Sequence, residues 1–208
     1  MLLAHCLKMM NRQTLKPAEI LIVDFPATSK AVDITKRYRV GYESLYSKGF
    51  DFIAFIENDD WYAADYLEIM AANWKKYGRP DIFGLRRTIY YHIHQAAWFP
   101  MNHITRSSAM NTIIKPNLKI KWPLDHDPYT DIALWEQLNG ITHSPNKEIC
   151  MGMKHGTGLC GGANHTDFMH RYINLDSDQS YLLSIVDNDS FKFYQQLKQD
   201  EKIQSQST

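Results

Sequence analysis

The stretch Phe52-Ile53-Ala54-Phe55-Ile56-Glu57-Asn58-Asp59-Asp60-Trp61-Tyr62 decides the reading of this chain. An apolar run of strand length, rich in aromatic and β-branched residues, ends in three carboxylates within four positions. Such a run predicts a strand buried on both faces, as in a parallel sheet covered by helices. Carboxylates at its C-terminal end stand where open α/β sheets place their ligands. Closely spaced carboxylates suit a hard divalent cation, which takes oxygen ligands and shares them with substrate phosphates. A polar turn and a helix N-cap account for the same residues without any ligand, because Asp and Asn favour both positions.

The chain has 208 residues, enough for one substantial core. Lys+Arg and Asp+Glu both number 23, so no broad basic surface is available for nucleic acid. Three cysteines are too few and too odd in number for a disulfide framework, and they fit a reducing compartment. Met1 to Lys8 lack the basic and apolar regions of a secretory signal. No apolar run approaches the ~20 residues of a membrane span. A soluble, cytoplasmic protein without a nucleic-acid partner is expected. Aromatic residues make up 12% of the chain, so a core of large side chains is expected, a minority of them lining a pocket.

Outward from the opening run, apolar spacing predicts helices over residues 2 to 12, 31 to 48 and 65 to 76. Val32, Tyr38, Tyr42 and Leu45 supply the apolar face of the second, and Gly49 caps it. Glu19 to Asp24 reads as a second buried strand ending in a carboxylate. Strand and helix alternate, which predicts an α/β fold with a mostly parallel central sheet flanked by helices. Further strands are expected over 81 to 85 and 88 to 94, then an irregular stretch from Trp98 to Asn111. Thr130 caps a helix from Asp131 to Leu138. Residues 151 to 166 are glycine-rich and read as a loop beside a ligand. A last helix covers about Ser190 to Leu197, and Lys198 to Thr208 is polar enough for a disordered tail.

The order of these motifs resembles the family 2 glycosyltransferases of the GT-A fold, over roughly residues 1 to 170. Ile20-Leu21-Ile22-Val23-Asp24 is similar to the family's second strand. Glu57-Asn58-Asp59-Asp60-Trp61 looks like its D-x-D motif, with Glu57 where Asp is usual. Thr130-Asp131-Ile132-Ala133-Leu134-Trp135 resembles the acidic pair before a helix, with Thr130 where Glu is common. His155 sits in a glycine loop similar to one that reaches the metal or diphosphate in some members.

The resemblance implies a nucleotide-binding sandwich over residues 1–170, a helical extension over 171–197 and a tail over 198–208. It implies transfer of a sugar from a nucleotide-diphosphate donor to a carbohydrate or other hydroxyl, by inversion, with Mn²⁺ or Mg²⁺ as cofactor. Asp131 is then the catalytic base, and Asp24, Arg39, Glu57, Asp59 and Lys154 bind the nucleotide sugar. Asp59, Asp60 and His155 hold the metal. Asp125 and Asp127 compete with Asp131 or hold the acceptor. The family begins with a strand before its first helix. Here Met1 already stands at the helix, so an incomplete nucleotide pocket is expected. A nucleotidyltransferase, or a non-catalytic or truncated GT-A-like binding protein, is the alternative on the same scaffold.

Two other groupings stand apart from that resemblance. Cys150, His155, Cys160 and His165 carry zinc-type donors but lack the close cysteine pairs of zinc modules. His92 and His94 share a face if their segment is a strand.

Overall fold

The computed structural model describes residues 1–26, 33–155 and 170–206, with side chains in the last segment as far as 199. Helix α1 (Leu2–Asn11) buries His5, Cys6, Met9 and Met10, one face at helical spacing. Helix α2 (Ile34–Leu45) buries Tyr38 and Tyr42 as expected, and Gly49 beyond it takes a positive φ of 78°. Val32 lies outside the described residues. Helix α3 (Tyr66–Lys76) buries Tyr66, Leu67, Met70, Ala71 and Trp74. Lys75 and Lys76 in its last turn oppose the negative end of the helix dipole.

The strands form two mixed sheets. In the first, β1 (Ile53–Ala54), β6 (Thr112–Ile114), β3 (Ile82–Leu85) and β7 (Gly140–His143) run in that order. In the second, the order is β2 (Trp61–Tyr62), β8 (Cys150–Lys154), β4 (Arg87–His92), β5 (Ala97–Asn102) and β9 (Asn174–Leu175). Among the described residues only β3·β7 and β4·β8 pair in parallel; the other pairings are antiparallel. The fold is therefore α/β, but the mostly parallel sheet expected from the strand–helix alternation is corrected. The apolar run does fill both faces. Ile53 and Phe55 join a cluster with Tyr38, Tyr42, Ile82 and Leu134, while Ala54 and Ile56 pack on the other core. An antiparallel partner buries both faces as well as a parallel one when helices cover the sheet.

Glu19–Asp24 is also corrected. The segment has no ladder partner among the described residues, and Ile20, Leu21 and Ile22 are 39%, 38% and 47% exposed. It lines an open cleft that Ile53 to Ile56, the run containing edge strand β1 of the first sheet, also line. Without hydrogen bonds from a neighbouring strand, apolar composition alone does not make one.

Further corrections concern the second half. Ala97–Asn102 pairs with β4 as a hairpin where irregular chain was expected. Cys150–Lys154 is a buried strand rather than loop, and residues 156–169 of the glycine-rich stretch lie outside the described residues. Thr130 begins helix α4 (Thr130–Gln137) without a capping side-chain bond; its hydroxyl meets that of Thr35 instead. After α5 (Ser180–Ile185), α6 runs from Asn188 to Gln206, through most of the expected tail. Tyr194 and Leu197 of α6 belong to the same core as α1, α3 and both sheets. None of the described helices is long and apolar enough to cross a membrane.

Candidate metal centre

The run Glu57 to Asp60 turns sharply between β1 and β2, with the Asp60 N–H reaching the Glu57 carbonyl at 3.4 Å. That turn brings one carboxylate oxygen each from Glu57, Asp59 and Asp60 within 4.8 Å of one another. Each carboxylate has a distinct setting. Glu57 accepts from the Tyr38 hydroxyl at 2.6 Å, and its own N–H donates to Tyr62 Oη at 2.9 Å. Asp59 lies 3.5 Å from His155 Nε2. Asp60 is fully buried; its Oδ1 accepts from the Met153 N–H at 2.8 Å, while Oδ2 has no partner among the described residues.

Charge is crowded here. Burial, and next the charge of Asp59, push the Asp60 carboxyl well above its ordinary pKa and raise Glu57 too. Asp59 goes the other way: burial opposes its charge, but His155 and Lys154 outweigh it and hold the pKa down. Lys154, at the end of β8, loses by burial and gains more from Asp60 and Asp59, so its ammonium is held charged. It sits over the Tyr90 ring, 5.3 Å from the centroid. Three carboxylates against one ammonium leave an excess of negative charge in a buried place. An unpartnered buried oxygen is costly without a donor or a cation. Oxygen donors of this kind fit Mg²⁺ or Mn²⁺, so the residues present fit a divalent ion.

Glu57, Asp59 and Lys154 face an open cleft of about 2040 Å³, which Asp24, Arg106 and Asp131 also line. Asp131 lies in the first turn of α4 and is paired with Arg106. Burial raises its pKa and the guanidinium opposes that shift.

Other expected site residues lie elsewhere. Arg39 pairs with Asp125 at 2.9 Å and is not among the residues lining the cleft. Its neighbour one face round the helix, Arg37, does line it, held by Asp33 and the carbonyls of Val23 and Phe25. Asp127 folds its Oδ1 onto the Tyr129 N–H at 2.8 Å, a local turn contact. His92 ends β4, and its Nδ1 accepts from the Gln95 N–H; His94 Nε2 meets the His155 carbonyl. Cys150 is a free, buried thiol whose pKa burial raises, and Cys160 and His165 lie outside the described residues.

Sequence reasoning did not find Arg37, Tyr38, Arg106 or the Met153 amide. Arg37 carried a usable signal, since Asp33 stands four residues before it on the same helical face. Tyr38 was visible as part of the apolar face of α2 but not as a partner of Glu57, and Arg106 and the Met153 amide come from distant parts of the chain.

No known protein-family model matches the chain, and no curated protein matches it in sequence. What the chain does is therefore read from these residues and the cleft they share.

Proposed function

We propose that the protein is a metal-dependent glycosyltransferase, GT-A-like in its donor site, which moves a sugar from a nucleotide-diphosphate donor to an acceptor hydroxyl with inversion. One observation carries this reading: Asp24, the Glu57–Asp59 carboxylates, Lys154 and Asp131 all open into the same cleft. A bound Mn²⁺ or Mg²⁺ would neutralise the diphosphate leaving group. The residues of the chain do the rest. Lys154 offers a permanently charged ammonium beside those phosphates. Asp24, exposed on the cleft wall, accepts from a nucleobase N–H. Asp131 accepts the acceptor's proton as the new bond forms, and burial raises its pKa, which strengthens it as a base. Arg106 engages one oxygen of that carboxylate, Oδ2.

The Arg106–Asp131 pair also favours a second reading, a protein that binds metal and nucleotide without turnover, because the guanidinium engages Oδ2, one of the two oxygens a base could use. Melting temperature with UDP, GDP and a nucleoside triphosphate, with and without Mn²⁺, tests the binding shared by both readings. Metal-dependent stabilisation by one diphosphate, lost in Asp59→Ala, supports them; a folded sample indifferent to every nucleotide sinks both. Turnover of a radiolabelled donor sugar that stops in Asp131→Asn while nucleotide binding persists separates the first from the second.

A further inference from the structure

The carboxylates that crowd the Glu57–Asp60 turn repel one another, so something outside the turn must hold its backbone in place. Helix α6 and the residue just before it, more than a hundred residues later in the chain, bond to this turn and to the first residue of the strand after it. Fully buried Tyr194 donates its hydroxyl to the Asp59 carbonyl at 3.3 Å. Asp187, just before α6, accepts from the indole N–H of Trp61, the residue after Asp60, at 3.2 Å. Asp187 is itself fixed: Arg12 reaches both of its oxygens at 3.1 and 3.0 Å, and the Ser190 N–H and hydroxyl add bonds at 3.0 and 2.8 Å. Burial works against this carboxylate, but Arg12 and the Ser190 bonds hold its pKa well below the ordinary range. His5 of α1 stacks on Phe193 with centroids 3.9 Å apart, 5° from parallel, which seats α6 against α1.

We propose that Tyr194 and Asp187 are positioning residues for cation capture, with α6 clamping the turn so that the three carboxylates keep one spacing. The inference rests on the metal reading of Glu57, Asp59 and Asp60. Tyr194 is the sharper probe, because Tyr194→Phe removes one oxygen and keeps the ring that fills the core. Groups that orient metal ligands from behind typically change affinity 10–100-fold when removed. Tyr194→Phe should therefore weaken Mn²⁺ binding by about 10-fold. Hydrogen exchange at the Asn58, Asp59 and Asp60 amides should quicken even without metal.

Mn²⁺ titration followed by electron paramagnetic resonance, on the full chain, reads the affinity. Tyr91→Phe is the matched control: it also loses a buried phenol bond, to Asp176 at 3.0 Å, but away from the turn. It should lower the melting temperature and leave the Mn²⁺ affinity unchanged. Wild-type affinity and unchanged exchange in Tyr194→Phe overturn the clamp while leaving the metal reading intact. Equal weakening in both variants also overturns it, since general loosening then explains the loss. A wild-type chain that binds no Mn²⁺ overturns the metal reading itself, and the clamp with it.

Discussion

Replacing Asp60 by Asn should make the protein more stable without metal and less able to bind it. Asp60 is fully buried, and a carboxylate oxygen of it lies within 4.8 Å of one each from Glu57 and Asp59. Were Asp60 ionised, its charge and a neighbour's at 4.8 Å would repel by about 3.5 kcal/mol at an effective permittivity of about 20; burial and this repulsion raise its pKa, so the folded state bears the cost either as repulsion or as an enforced proton. Lys154 offsets part of that, so the net relief from removing one charge is on the order of 1–2 kcal/mol. Asn keeps the oxygen that accepts from the Met153 N–H, and its amide nitrogen can donate toward Asp59 or Glu57 where Oδ2 has no partner now. For a chain of this size, each kcal/mol moves the melting temperature by roughly 2–4 °C. Calorimetry in EDTA should then show Asp60→Asn melting about 2–8 °C higher than wild type. With saturating Mn²⁺ the order should reverse, because the wild type alone gains binding energy. A variant that melts lower in EDTA would refute the reasoning. It would mean that the Asp60 carboxylate serves chiefly as a stabilising partner for Lys154, and not as a ligand kept at a cost to the fold.

Three further outcomes follow from other parts of the structure. His103 is buried, and its pKa falls from 6.5 to about 4, chiefly through loss of water and secondarily through Arg106. The unfolded state therefore takes up the proton first. Stability should be fully kept above pH 6.5 and fall as pH drops toward 4, by at most roughly 3 kcal/mol; the His103→Gln variant should show a shallower acid slope in urea titrations. Gly152→Ala would place a Cβ 2.5 Å from the Tyr90 ring, so a loss of about 1–3 kcal/mol is expected in chemical denaturation. Arg106→Gln frees Asp131 from its guanidinium and removes a cation that lowers its pKa, so under the proposed transfer reaction the acid limb of the pH–rate profile should move to higher pH.

Much of the fold was legible because it rests on local periodicity. The buried faces of α2 and α3 and the two-sided burial of Phe52 to Ile56 follow from spacing; on α1 the apolar spacing of Leu2, Leu3, Cys6, Leu7 and Met10 marks the helix, but the residues buried are His5, Cys6, Met9 and Met10. Strand pairing did not follow, since β1 meets Thr112–Ile114 and β3 meets Gly140–His143 across long sequence gaps. Short strands such as Gly140-Ile141-Thr142-His143 carry too little apolar pattern to announce themselves. Glu19 to Asp24 shows the converse: its composition suits a strand, yet a strand exists only where a neighbour supplies the ladder. At the site, the carboxylates were visible as a cluster, and Asp131 lies in the cleft with them. Their division of labour was not visible. Only the structure shows Asp60 buried against the Met153 amide, Arg39 diverted to Asp125, and Arg106 holding Asp131. Tyr194 lies 135 residues from Asp59, beyond the reach of any local pattern.

The most direct test is anomalous diffraction at the manganese edge from crystals grown with Mn²⁺ and a nucleoside diphosphate. The account predicts a peak within coordination distance of the Asp59 carboxylate and of at least one oxygen from Glu57 or Asp60, with the diphosphate completing the ligand set on the cleft side. A peak elsewhere, or none between these carboxylates at saturating Mn²⁺, would contradict it.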